Sequence, residues 1–251
     1  MLTAPAAWAD CTDPLGATVT CSNSVTVPQK FQTFGQRVII ESGTQFKTTG
    51  GSEAVHFTSH SANLQNNGSI SSDGDGIQFF STNNSQVINS GAVTTSGDKG
   101  NAINVAEVSD SALESKGALT TTGAGSNGIL MNATLRMSVK NTGNITTSGS
   151  GADGIHANDT ASSQIANQGN ITVKGTGSNG IYAGTNVKDT TIQNLDDGVI
   201  YAPGGYGITV ANSAAISTLL NAGIIDGGIA GVYLGGTSQT GTLANTGTII
   251  G

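Results

Sequence analysis

The chain has 251 residues with 37 glycines, 10% charged residues, 4% aromatics and a formal net charge of −7. Collagen is excluded because the glycines follow no three-residue period, and disorder is excluded because Ile, Val and Leu recur at fixed positions. Nine Lys and Arg in the whole chain leave no basic footprint for nucleic acid or an anionic membrane, and no apolar run approaches the ~20 residues of a spanning helix.

Residues 1–9 contain Ala7-Trp8-Ala9, which fits the small-x-small rule of a signal-peptide cleavage site. They are read as the remnant of a signal peptide, with the mature chain starting at Asp10. Cys11 and Cys21 follow at once. At the start of an exported chain they suggest one disulfide closing a small loop, two buried free thiols being the alternative. Residues 10–60 are expected to form an N-terminal cap and irregular first rungs. Val19–Cys21, Val25–Val27 and Arg37–Ile40 alternate as strands do.

Residues 61–251 are regular. The Ile column at 77, 103, 129, 155 and 181 keeps a spacing of 26 residues. Each unit predicts three short strands. The first follows an Asn-x-Gly turn, as in Gly143-Asn144-Ile145 and Gly169-Asn170-Ile171. The second carries the Ile column and, two residues on, Phe79, Val105, Met131, Ala157 and Ala183. The third carries Val87, Leu113, Val139, Ile165, Ile192, Leu219 and Leu243. Side chains two apart on a strand share a face, so these columns point into one core. A single unit cannot bury that face, but stacked units can. The prediction is an all-β parallel β-helix, with three strands per rung of ~25 residues. About eight rungs spaced ~4.8 Å apart give a rod ~40 Å long. Helical repeats would need apolar residues at i, i+3, i+4 and i+7, and these units lack them.

An asparagine precedes the first strand in almost every unit: Asn66, Asn89, Asn141, Asn167, Asn194, Asn221 and Asn245, with Ser115 as the exception. Asn suits a turn, and identical amides one rung apart can form a ladder. On the second strand the outward column holds Leu130, His156, Tyr182 and Tyr233, a candidate partner-binding stripe.

The Asn-x-Gly-x-Ile unit, the recurring Gly-Ile anchor, the cleavable start and the paired cysteines resemble the passenger region of bacterial autotransporter proteins, of the adhesin-like type. That resemblance implies a right-handed β-helix at a Gram-negative outer surface, exported through a C-terminal β-barrel translocator beyond Gly251. It implies adhesion to a host or bacterial surface protein or glycan, or self-association, with no cofactor. The chain is then a fragment of a longer protein.

Two other readings were weighed. In a polysaccharide lyase or hydrolase, carboxylates would cluster on one face, and the candidates are Asp73, Asp75, Asp98 and Asp153. Asp73, Asp75 and Asp153 lie just before the Gly-Ile anchor, in a turn where other units have Asn127 or Asn179, an exchange that turn geometry permits and acid–base chemistry does not. His56 and His60 lack the Glu of a zinc-protease motif. No catalytic or metal site is read, and a passive stalk remains the other alternative.

Overall fold

A computed structural model describes Cys11 and residues 17–251. The expected signal-peptide remnant lies outside the described residues. Every element in the described residues is a strand. They form three parallel sheets of nine, nine and ten strands, coiled as a right-handed β-helix of about nine turns with three strands per rung. The first sheet runs from Gln45–Lys47 to Thr248–Ile250, the second from Gln29–Phe31 to Ala230–Leu234, and the third from Thr18–Cys21 to Gln239–Asn245.

Register is fixed by the apolar columns, because a one-residue slip would turn every inward side chain outward. Ile77, Ile103, Ile129, Ile155, Ile181 and Ile208 pair in sequence along the second sheet, and all are buried. Each such side chain contributes ~1.5–3 kcal/mol on leaving water. At the lower end Phe31, Phe57 and Phe79 stack inside the core with ring centroids 5.0 and 4.4 Å apart. In the last turn Leu234, Leu243 and Ile249 continue the inward columns and are exposed at the end of the described stack.

The lower rungs pair in the same parallel register. Thr18–Cys21 adds to Arg37–Ile40, and Cys11 is bonded to Cys21. Val25–Val27, expected as a strand, makes only a bridge from Val25 to Phe46. Pro28 follows directly, and its missing N–H stops the ladder there.

Four columns explain why the units repeat so strictly. The glycine of the Asn-x-Gly turn sits where rungs touch: a Cβ on Gly143 would meet the carbonyl oxygens of Gly117 and Lys116. The asparagines form a buried amide rail. Asn141 Nδ2 donates to Asn167 Oδ1 at 2.9 Å, Asn167 to Asn194 at 2.9 Å, Asn194 to Asn221 at 2.8 Å and Asn221 to Asn245 at 2.7 Å. Below, Asn66 donates to Asn89 at 2.7 Å. Ser115 interrupts the rail, and both its hydroxyl and Asn141 Oδ1 are buried without a hydrogen-bond partner. Between the second and third sheets a turn uses left-handed backbone at two non-glycine columns. Ser81, Glu107, Ala133, Asp159 and Asn186 form one, and Asn84, Asp110, Arg136, Ser162 and Asp189 the other, with φ between 48° and 57°.

Candidate functional site

The outward face of the second sheet carries two columns side by side. One lies three residues before the other in each rung. In register, the stripe column reads His56, Gln78, Asn104, Leu130, His156, Tyr182, Thr209 and Tyr233. Leu130, His156 and Tyr182 are thus direct neighbours, and they are half-buried. Tyr233 pairs with Thr209, one rung beyond Tyr182.

The companion column holds Glu53, Asp75, Asn101, Asn127, Asp153 and Asn179. These side chains tie one rung to the next. Asp75 Oδ1 accepts from the Asn101 backbone N–H at 2.7 Å and its Nδ2 at 3.0 Å. Asn101 Oδ1 accepts from Asn127 in the same way, and Asn127 Oδ1 accepts from the Asp153 N–H. Asp153 Oδ1 accepts from the Asn179 N–H at 2.6 Å and Nδ2 at 2.9 Å. Asn179 Oδ1 closes the series by accepting the Thr209 hydroxyl at 2.9 Å. Asp and Asn serve alike here because the acceptor oxygen is the shared requirement.

The four acids weighed as catalytic are all engaged. Asp73 accepts from the Gly50 and Gly51 N–H groups, Asp98 from Ala124, and Asp75 also from Asn104 Nδ2 at 2.7 Å. Asp153 Oδ2 lies 2.8 Å from His156 Nδ1. Burial pushes the Asp75 carboxyl above its usual range, against its hydrogen bonds from Asn104 and Asn101, and the Glu53 charge adds to the rise. Burial also works to raise Glu53, but hydrogen bonds from its own backbone and His56, with the charges of His56 and Lys30, hold it low. Glu53 Oε1 sits 2.6 Å from His56 Nδ1. His60 is elsewhere, accepting from the Asn83 N–H in a turn. Among the described residues no three His, Cys, Asp or Glu side chains gather as a metal site would require.

Above Asn179 the companion column changes character. Tyr206 takes its place, two residues before Ile208 as Asn179 is two before Ile181. The Tyr206 ring stacks on Tyr233 with centroids 4.8 Å apart, and His156 packs on Tyr182 at 4.8 Å. Between them lies a groove of about 170 Å³, lined by Asn179, Tyr182, Tyr206, Thr209, Ile229 and Tyr233 over Gly177 and Gly205. Gly184 lets the Tyr182 ring lie down, since a Cβ there would sit 2.7 Å from Tyr182 Cε1. Ile229, 59% exposed, forms an outer wall. Of these residues, Tyr182 and Tyr233 stand in the sequence-derived stripe. Tyr206 and Ile229 do not, because Tyr206 stands in the companion column, where the preceding rungs carry Asn or Asp, and Ile229 lies in a turn outside both columns.

A family profile described as the BigA third pectate lyase-like domain matches residues 16–250. No curated protein sequence matches the chain. Among solved structures, PfbA, a surface adhesin of Streptococcus pneumoniae, aligns over 90% of this chain and 82% of its own, with 8% identity and a TM-score of 0.29. At that score the likeness has no bearing on what this chain does.

Proposed function

The chain belongs to the family of the BigA third pectate lyase-like domain, and from that premise we propose that it is an exported, surface-displayed β-helix that binds rather than catalyses. It acts in adhesion or self-association through the outward face of its second sheet. The observation that carries this reading is the contrast along that face: the acids are bonded rung to rung, whereas the tyrosines line an open groove. A disulfide at the first rung fits an oxidising compartment outside the cytosol. The finer reading is the passenger of a Gram-negative autotransporter, carried by a C-terminal β-barrel translocator. It rests on the resemblance of the Asn-x-Gly-x-Ile units and the cleavable start.

The test is display of residues 10–251 on a non-aggregating bacterial strain, beside a barrel-only control. Faster settling, or retention on a host surface, that free fragment abolishes is the expected result. Confirmed display with neither effect refutes the adhesive role and leaves a passive stalk. A second reading, carbohydrate cleavage, is prompted by the pectate lyase-like family, with Glu53 and Asp75, which precede neighbouring strands of the second sheet, as the carboxyls to test. Depolymerisation of a polysaccharide, lost in Glu53→Gln, would establish it. We expect none, because both Asp75 oxygens are occupied by amide donors.

A further inference from the structure

We propose that the groove between Tyr182, Tyr206 and Tyr233 takes a neutral glycan, a sugar chain without uronate or sulfate groups. The proposal rests on the binding role argued above and names its ligand class. A pyranose ring presents two chemistries, C–H faces and a rim of hydroxyls. The lining offers both complements: tyrosine rings and Ile229 for the faces, and for the rim the exposed Gly177 with the hydrogen-bonding capacity that the Asn179 amide and the Thr209 oxygen keep beyond their ladder bonds.

Charge selects against the acidic sugars that a pectate lyase-like fold brings to mind. No Lys or Arg lines the groove, and the nearest ionisable neighbour in the ladder is Asp153, bonded to Asn179. No cluster of carboxylates among the described residues would hold a bridging divalent cation. With a net charge of −7, the chain repels a polyuronate at long range. The site also has a direction. From the Tyr206–Tyr233 stack the stripe continues through the Tyr182 and His156 rings to the Leu130 side chain, each of these three one rung from the next. Strands ~4.8 Å apart match the length of one sugar residue, so an extended oligosaccharide lies along the helix axis with one residue per rung.

The ladder explains why the site sits here. A Thr209 hydroxyl satisfies the last amide oxygen, so the next rung needs no Asn at that place and can carry Tyr206 instead. The groove begins where the polar column ends.

The experiment is affinity electrophoresis of the purified chain through native gels containing dextran, mannan, a mixed-linkage β-glucan or polygalacturonate. Wild type is compared with Tyr206→Ala/Tyr233→Ala and Tyr206→Phe/Tyr233→Phe, with thermal unfolding of each. Retardation by at least one neutral polymer and none by polygalacturonate is expected. The Ala pair should weaken it by about 10-fold, through the loss of two aromatic contacts, and the Phe pair should retain it. If the Ala pair unfolds, Tyr233→Ala alone serves, because that side chain is 41% exposed. Retardation by polygalacturonate alone, none by any neutral polymer, or equal retardation of the folded Ala variant overturns the proposal. If displayed cells still settle faster in that case, adhesion stands and its ligand is not a glycan in this groove.

Discussion

A glycine precedes the Ile column of the second sheet at Gly76, Gly128, Gly154, Gly180, Gly207 and Gly231. The pairing of this column with the first sheet makes a quantitative prediction. A Cβ on Gly154 would run into Ile171 Cγ2 and stand 2.5 Å from the Gly180 carbonyl oxygen. Gly180 meets Ile200 in the same way, and Gly207 meets Ile225. Two rungs differ. In one, Ala102 occupies the column, and the residue corresponding to Ile171 is Leu119, which has no branch at Cβ. Ala54 also occupies it, in a rung whose connection to the first sheet is one residue shorter. The backbone therefore accommodates a methyl once the facing Cγ2 is gone. Gly154→Ala should cost ~1–3 kcal/mol as an overpacked core, a fall in Tm of roughly 2–4 °C per kcal/mol for a chain of this size. Ile171→Leu alone should cost under about 1.5 kcal/mol. The double variant should recover about 1 kcal/mol relative to the sum. The assay is urea unfolding followed by far-UV circular dichroism, with hydrogen exchange at Ile155 and Ile181 because stacked repeats open locally. Additivity within about 0.5 kcal/mol would refute the reasoning and place the whole clash on the Gly180 carbonyl.

Three further predictions concern other columns. Ser115→Asn should raise stability by about 1 kcal/mol, since its amide would donate to the orphaned Asn141 Oδ1 and join the two halves of the rail; a lower Tm sinks this. Asp75→Asn should stabilise the chain at neutral pH. The folded-state carboxyl is raised above 3.8, so its favourable contribution is full below that value and is lost as pH rises through the folded pKa. The urea midpoint of the variant should therefore pull ahead of wild type as pH rises above 3.8 toward neutral, and a constant offset would count against the desolvation argument. The Asn104 amide can turn its unpaired Oδ1 toward the new donor. Ala133→Gly should gain about 0.5 kcal/mol, because left-handed backbone costs a non-glycine residue ~1–2 kcal/mol and glycine loses ~0.5–1 kcal/mol in chain entropy; unchanged unfolding midpoints would show that the turn is not strained.

The inward columns are legible in the sequence because burial and period-2 alternation leave the same residues at the same spacing. Leu113, Val139 and Ile165 could be placed without coordinates, and they are buried where expected. What is not legible is anything set by contacts between rungs that involves different residue types. Tyr206 replaces an asparagine, so a column defined by identity misses it. Ile229 is a single apolar residue in a turn, with no periodic partner. The left-handed positions carry Ser, Glu, Ala, Asp and Asn in one column, a mixture with no shared chemical signature. Pairing of Cys11 with Cys21 was one of two readings open to the sequence, and proximity in the first rung decides it. The Glu53–His56 contact went unread because Glu53 lies in the irregular segment, before the period is established.

The break in the amide rail at Ser115 gives the rod a mechanical weak point. Under tension along the axis, the backbone hydrogen bonds of the three sheets share the load within each junction, while successive junctions carry the same load in series. The junction with the fewest cross-links yields first. Between Asn89 and Asn141 the amide rail contributes nothing, so there the side-chain load falls on the Asp75–Asn101–Asn127 ladder and the Asp110–Arg136 ion pair, which join a lower segment anchored by the phenylalanine stack to an upper one that carries the tyrosine groove.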